Sequence, residues 1–297
     1  MPSVASNGIR IEYEDLGPKD GDPILLIMGL GQQLTAWPLG FCQMLVDAGH
    51  RVIRFDNRDT GFSTYFDEAG PQDVGMLMAL AAEGKPMTVP YLLSDMADDA
   101  AGLIDALDLG PSHIIGVSMG GMITQELAHR HPNKINTLTS IMSTSGNPEL
   151  PPSKPEAMAV LISAPDDPTN RDSILDNLVE GRKIIGSPGF MDPDWVIRAN
   201  GAIGVDRANY PVGVSRHLAA VIGGGSRVGK LKEITRPAHV IHGTDDPLVV
   251  VEGGKDTAKH IPGAKLTLIE GMGHDLATEL QPILADHIVS FIKDARG

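Results

Sequence analysis

Short apolar runs alternating with helix-length segments restrict the fold of this chain more than any other feature. Ile24-Leu25-Leu26-Ile27-Met28 is apolar throughout and stops at Gly29, the pattern of a strand buried on both faces. Strand-like runs return at 51–55, 112–117, 238–242 and 265–269. Between them, residues 37–48, 92–107 and 121–131 carry apolar side chains at three- and four-residue steps. The second of these keeps its acids on the opposite face and stops before Gly110; the third stops before Pro132. Strand and helix in alternation need a parallel sheet covered by helices. Residues 8–14 instead alternate apolar and polar, which suits a half-exposed antiparallel strand. The spacing predicts an α/β fold with a mostly parallel central sheet.

The rhythm breaks after Ser143. Pro148, Pro151, Pro152 and Pro155 keep the following stretch out of regular structure. Helical patterns follow around 173–185 and 194–203, with no buried strand before residue 238. The chain therefore divides into a core of residues 1–146 and 228–297 and a helical insertion at 147–227. Gly223-Gly224-Gly225-Ser226 reads as the flexible exit of that insertion.

Charge narrows the partners. Lys plus Arg total 24 against 38 for Asp plus Glu, a net charge of −14, and no basic run interrupts it. Such a surface repels nucleic-acid backbones and anionic lipid, so neither is an expected partner. Cys42 is the single cysteine, which excludes an intrachain disulfide or a paired-cysteine metal site. The uncharged stretch 23–46 contains Gly29, Gly31 and Pro38 and does not read as a membrane span. Residues 1–8 show neither a basic nor an apolar leader segment, so a soluble, cytoplasmic protein is expected.

The strongest chemical signal is Gly116-Val117-Ser118-Met119-Gly120-Gly121, between a predicted strand and a predicted helix. A serine there sits on a sharp turn with its Oγ above the sheet edge, and the Met119 N–H, at a helix N-terminus, faces any oxyanion formed beside it. Without that context the pattern describes only a glycine-rich turn. A serine hydroxyl needs a base, and the base needs an orienting carboxylate, in the chain order Ser, acid, His for this architecture. Asp245 and Asp246 follow the strand at 238–242, and His274 follows the next one. His242 precedes both acids and reads as a structural histidine. Arg54, Asp56, Arg58 and Asp59 read as a loop locked by ion pairs. Met28, Met119, Met122 and Met142 are candidate pocket walls, with core packing as the plainer reading. Trp195 and Tyr210 fall in the insertion, where they could meet substrate or simply pack. Gly29-Leu30-Gly31 continues Gln32-Gln33-Leu34, which is no dinucleotide loop; no Walker lysine or His-Glu-x-x-His pattern occurs, and no cofactor is implied.

Taken together, Ile27-Met28-Gly29-Leu30-Gly31, the stretch from Arg54 to Ser63, the Ser118 turn, Gly243-Thr244-Asp245-Asp246 and Gly271-Met272-Gly273-His274 resemble the α/β-hydrolases, particularly the esterase branch that includes anthracycline methyl esterases. The resemblance covers nearly the whole chain outside the insertion. It implies an α/β-hydrolase fold with the insertion as a helical cap. It selects Asp246 over Asp245 as the acid of a Ser118–Asp246–His274 triad. It adds the Leu30 N–H to that of Met119 as oxyanion donors, with Met28, Gly29, Met142 and Trp195 as substrate contacts. Met28 stands where many relatives have histidine, a substitution that anthracycline-esterase-like members share. The implied reaction is hydrolysis of a small, apolar carboxylic ester, with methyl esters and lactones included, through an acyl-enzyme. The same triad also serves cofactor-free perhydrolysis of the haloperoxidase kind and C–C bond hydrolysis. A non-catalytic small-molecule receptor on the same scaffold is the non-enzyme alternative.

Overall fold

Period-two side-chain alternation explains why the strand runs are apolar throughout. The computed structural model describes residues 1–296, which form one sheet from β1 (Ser3–Ser6), β2 (Ile9–Leu16), β3 (Asp22–Ile27), β4 (His50–Phe55), β5 (Ser112–Val117), β6 (Ile135–Ile141), β7 (Ala238–Gly243) and β8 (Lys265–Ile269). Leu25 and Ile27 point to one face and Ile24 and Leu26 to the other, and all four are fully buried. The spatial order is β1-β2-β4-β3-β5-β6-β7-β8. Strands β3 to β8 run parallel, while β2 pairs antiparallel with β1 and β4. The order reverses between β3 and β5, and in such sheets a crevice opens there at the C-terminal strand ends.

The first four helices are α1 (Leu39–Asp47), α2 (Val74–Ala82), α3 (Leu93–Ala106) and α4 (Met119–Arg130). Between β6 and β7 the described residues form no strand. They form α5 (Pro155–Ile162), α6 (Arg171–Ile185), α7 (Asp194–Arg207), α8 (Val212–Gly224) and the short α9 (Val228–Leu231). Helices α10 (Val251–His260) and α11 (Leu280–Asp294) complete the chain. Phe41, Cys42 and Leu45 of α1 share one core layer with Leu284 and Ile288 of α11. Met96 and Leu103 of α3, Ile123 and Leu127 of α4 and Leu231 of α9 fill the other. No helix of the described residues is long and apolar enough to cross a membrane.

Two elements depart from their sequence pattern. The four residues read as a flexible exit are in part helix: α8 continues through Gly224, and Gly223 lies against Val89 and Leu92, where a Cβ would stand 3.0 Å from the Val89 side chain. Helix α8 itself gives no clean amphipathic signal because two of its buried positions are Arg216 and His217. Strand β6 hides its character in the same way. Thr137, Thr139 and Ser140 are all buried, and the Thr137 hydroxyl meets the His113 Nδ1 at 2.8 Å.

Candidate active site

The bend at Ser118 follows from two close approaches. Strand β5 ends at Val117, α4 begins at Met119, and Ser118 between them takes φ 54° and ψ −121°. A side chain in that region costs on the order of 1–3 kcal/mol and persists only where the surroundings impose it. Here they do. A Cβ at Gly116 would lie 2.2 Å from the Gly120 carbonyl oxygen, and one at Gly120 would lie 2.1 Å from that of Ile27, so strand and helix press together over glycine alone. The Ser118 N–H donates to the Ile141 carbonyl of β6 at 2.9 Å, and the Ser118 carbonyl accepts from Gly121 and Met122 to start the helix.

The loops after β7 and β8 bring an acid and an imidazole to this hydroxyl. His274 Nε2 lies 2.9 Å from Ser118 Oγ, and its Nδ1 lies 2.7 Å from Asp246 Oδ2. A carboxylate only accepts, so Nδ1 carries the proton and Nε2 offers its lone pair to the serine. Asp246 is buried, and its other oxygen accepts the Leu248 and Val249 N–H groups, each at 2.9 Å. The neighbouring Asp245 is exposed and turns the other way, accepting from Thr244 Oγ1 and from the Gly271 N–H. His242 donates from Nε2 to the Val249 carbonyl at 2.6 Å and stays 3.6 Å from Asp246. It does not reach Ser118.

Across the crevice the loop after β3 runs beside the serine. A methyl group at Gly29 would stand 3.2 Å from Ser118 Cβ and 3.7 Å from its Oγ. The N–H groups of Leu30 and Met119 have no acceptor among the described residues. Met28 and Met142 directly follow β3 and β6 at this edge, and both side chains are buried in the core layer shared with α1 and α11. Trp195 is 73% exposed on α7 and lines an open groove with Asp176, Val179, Glu180, Asp194 and Arg198. Tyr210 stacks on Tyr65 and hydrogen-bonds Arg216 and Asp67, which anchors the α7–α8 turn.

Ion pairs lock the loop after β4. Arg54 holds Glu14, Asp56 holds Arg207, Arg58 holds Asp99, and Asp59 takes a two-pronged contact from Arg216. This loop grips the one after β3, since Asn57 Nδ2 donates to the Met28 carbonyl and Asp56 accepts the Leu34 N–H. Sequence reasoning missed a second set of supports, contributed by the insertion. The His274 N–H donates to the Ile185 carbonyl at 2.7 Å, the Gly273 N–H to Ser187 Oγ at 2.9 Å, and the Gly189 N–H to the Gly271 carbonyl at 2.9 Å. Ser187 in turn donates to Asp275. His217 on α8 reaches the loop after β3. A serine and a histidine inside an insertion carry no local signature, so nothing in the sequence marks either. Among the described residues, no group of three His, Cys, Asp or Glu side chains could hold a metal ion.

A parallel sheet with a strained serine between strand and helix, facing a histidine and an acid from later strand ends, defines a hydrolase class. Residues 22–279 match the α/β hydrolase fold family, and the chain belongs to it. Rhodomycin D methylesterase DnrP from Streptomyces peucetius is 27% identical, with 99% of each chain covered. Among solved structures, the meta-cleavage product hydrolase CumD from Pseudomonas fluorescens IP01, in a mutant form complexed with acetates, superposes with a TM-score of 0.75 at 19% identity, covering 99% of this chain and 98% of that one. An enol-lactonase from Burkholderia xenovorans LB400 gives 0.73 at 21% identity, covering 98% and 100%. At such identities the two structures speak to the fold.

Proposed function

We propose that the protein is a serine esterase that hydrolyses carboxylic esters of small, apolar molecules, methyl esters and lactones among them, through an acyl-enzyme. The observation that carries this reading is the 2.9 Å approach of His274 Nε2 to Ser118 Oγ, with Nδ1 held on Asp246. Ser118 attacks the ester carbonyl while His274 takes its proton, and Asp246 stabilises the imidazolium that forms. The carbonyl oxygen becomes an oxyanion between the Leu30 and Met119 N–H groups. Losing one such donor costs about 2.7–4 kcal/mol of barrier. Collapse of the tetrahedral intermediate breaks the C–O bond, and His274 returns the proton to the departing alcohol. Water then repeats the sequence on the acyl-enzyme and releases the acid. The free N–H groups, Gly29 lying flush against the serine, and a full-length relative named as a methylesterase all support this reading. Residues 147–227 serve as the cap that shapes the pocket.

The test is substitution with a matched control. Ser118→Ala should lower p-nitrophenyl ester turnover by on the order of 10⁴-fold or more, with the fold intact. His274→Ala should be comparably damaging, and His242→Ala should stay within a few-fold of wild type. Full activity in Ser118→Ala would remove the nucleophile and the reading with it. A panel of methyl esters and lactones of graded acyl size, run beside these variants, defines the substrate class.

A further inference from the structure

We propose that His217, which lies outside the triad, is a positioning residue that holds the Leu30 N–H in its oxyanion-binding orientation; this rests on the esterase reading above. His217 is fully buried on α8. Its Nε2 lies 2.7 Å from the Arg58 carbonyl oxygen, and its Nδ1 receives the Gly31 N–H at 3.1 Å. The two neighbours leave a single protonation state. A carbonyl can only accept, so Nε2 bears the hydrogen; an amide can only donate, so Nδ1 must be bare. Burial agrees, pushing this imidazole down to about 4, so it stays neutral near pH 7. Arg58, Asp59, Tyr91 and Arg216 surround the ring.

What this bond controls is one peptide plane away from the chemistry. The Leu30 N–H belongs to the Gly29–Leu30 peptide, whose carbonyl accepts the Gln32 N–H at 3.3 Å. The adjoining Leu30–Gly31 peptide is held by His217, at a glycine with φ 64°. Helix α8 also closes the space behind this glycine: a Cβ there would meet Val214 at 2.7 Å. With one plane pinned at its carbonyl and the next at its N–H, Leu30 cannot rotate its own N–H out of the crevice. Without the imidazole lone pair, the Gly31 N–H loses its acceptor and the second plane is free to turn. Gln33, further along the loop, bonds the Gly204 and Ala208 carbonyls of the α7 end and keeps the rest of the loop in place.

Two substitutions separate positioning from simple packing. His217→Asn keeps a carbonyl oxygen near the position of Nδ1 and gives up the contact to Arg58. His217→Gln extends an amide toward Arg58 and gives up the acceptor for Gly31. The proposal expects kcat for p-nitrophenyl butyrate to fall at least tenfold in His217→Gln with KM within twofold, while His217→Asn stays within about threefold. Inhibition by a trifluoromethyl ketone, which forms an oxyanion on Ser118, should weaken in parallel with kcat. Equal losses in both variants, or wild-type kcat in His217→Gln, would overturn the proposal. So would an Nδ1–H tautomer at residue 217 in ¹⁵N-histidine spectra of the unmodified protein, a measurement that decides the matter if neither variant folds. The esterase reading fails by a different sign, namely that the unmodified protein hydrolyses no ester or that Ser118→Ala leaves turnover unchanged.

Discussion

Gly29 and Ser118 approach so closely that the absence of one side chain makes room for the other. A methyl group at position 29 would sit 3.2 Å from both Ser118 Cβ and the Val117 carbonyl oxygen. That is tighter than ordinary van der Waals contact, so either the serine or the loop after β3 must retreat by a few tenths of an ångström. Attack by Ser118 needs the reacting atoms aligned at near-contact distance, and small displacements there are expensive. Gly29→Ala should therefore lower kcat by about tenfold or more while leaving the thermal midpoint within a few degrees of wild type. Paired steady-state kinetics and a melting curve check it. Unchanged kcat would mean that the crevice has slack the distances do not suggest.

At the scale of elements, the helical segment between β6 and β7 supports the loops that carry the site. The end of α6 and the turn after it hold the histidine loop through Ile185, Ser187 and Gly189, and α8 reaches the loop after β3. Ser187 is the hinge of the first contact, accepting from the Gly273 N–H and donating to the buried Asp275 carboxylate. Ser187→Ala leaves both groups without that partner. Stability should fall by about 1–3 kcal/mol, the usual cost of a buried polar group left unmade. Because the Gly273 peptide adjoins His274, kcat should fall as well. Urea titrations and single-turnover acylation measured on the same samples test the two halves together. A variant less stable yet fully active would uncouple the insertion from the histidine loop. Helix α8 is tied down independently by the Arg216–Asp59 pair, both fully buried.

For the whole molecule, buried histidines such as His217 and His239 set an acid limit. Burial pushes His217 and His239 each down to about 4, with Lys265 and His287 adding to the effect at His239. In the unfolded chain a histidine titrates near about 6.5. Above that pH both states hold neutral rings, and these two groups add no pH dependence. As pH falls from about 6.5 to about 4, the unfolded chain takes up protons that the folded chain does not. Stability then drops by up to about 1.4 kcal/mol per pH unit for each ring. Urea midpoints should decline steadily between about pH 6.5 and 4.5, before most carboxylates titrate. A flat profile across that window would mean that the rings gain their protons without unfolding.

The alternation of apolar runs with helical segments was legible because burial on both faces of a strand leaves no position for a polar side chain, as at Ile24 to Ile27. The elbow at Ser118 was legible because only glycine tolerates the approaches around it. Asp246 needed the family pattern, since nothing local distinguishes it from Asp245. The distinction is that one turns inward to His274 and the other outward to Thr244 and Gly271. Trp195 and α8 went the other way: an exposed indole and a helix with a buried arginine and histidine both contradict what composition suggests. The sequence by itself determined the layered sheet and the sharp serine turn between strand and helix, because these follow from local sterics and periodicity. Only the tertiary structure decided which side chains of the insertion brace the site. Ser187, Arg216 and His217 act through partners tens to nearly two hundred residues away, and pairing at that range is set by how the chain packs.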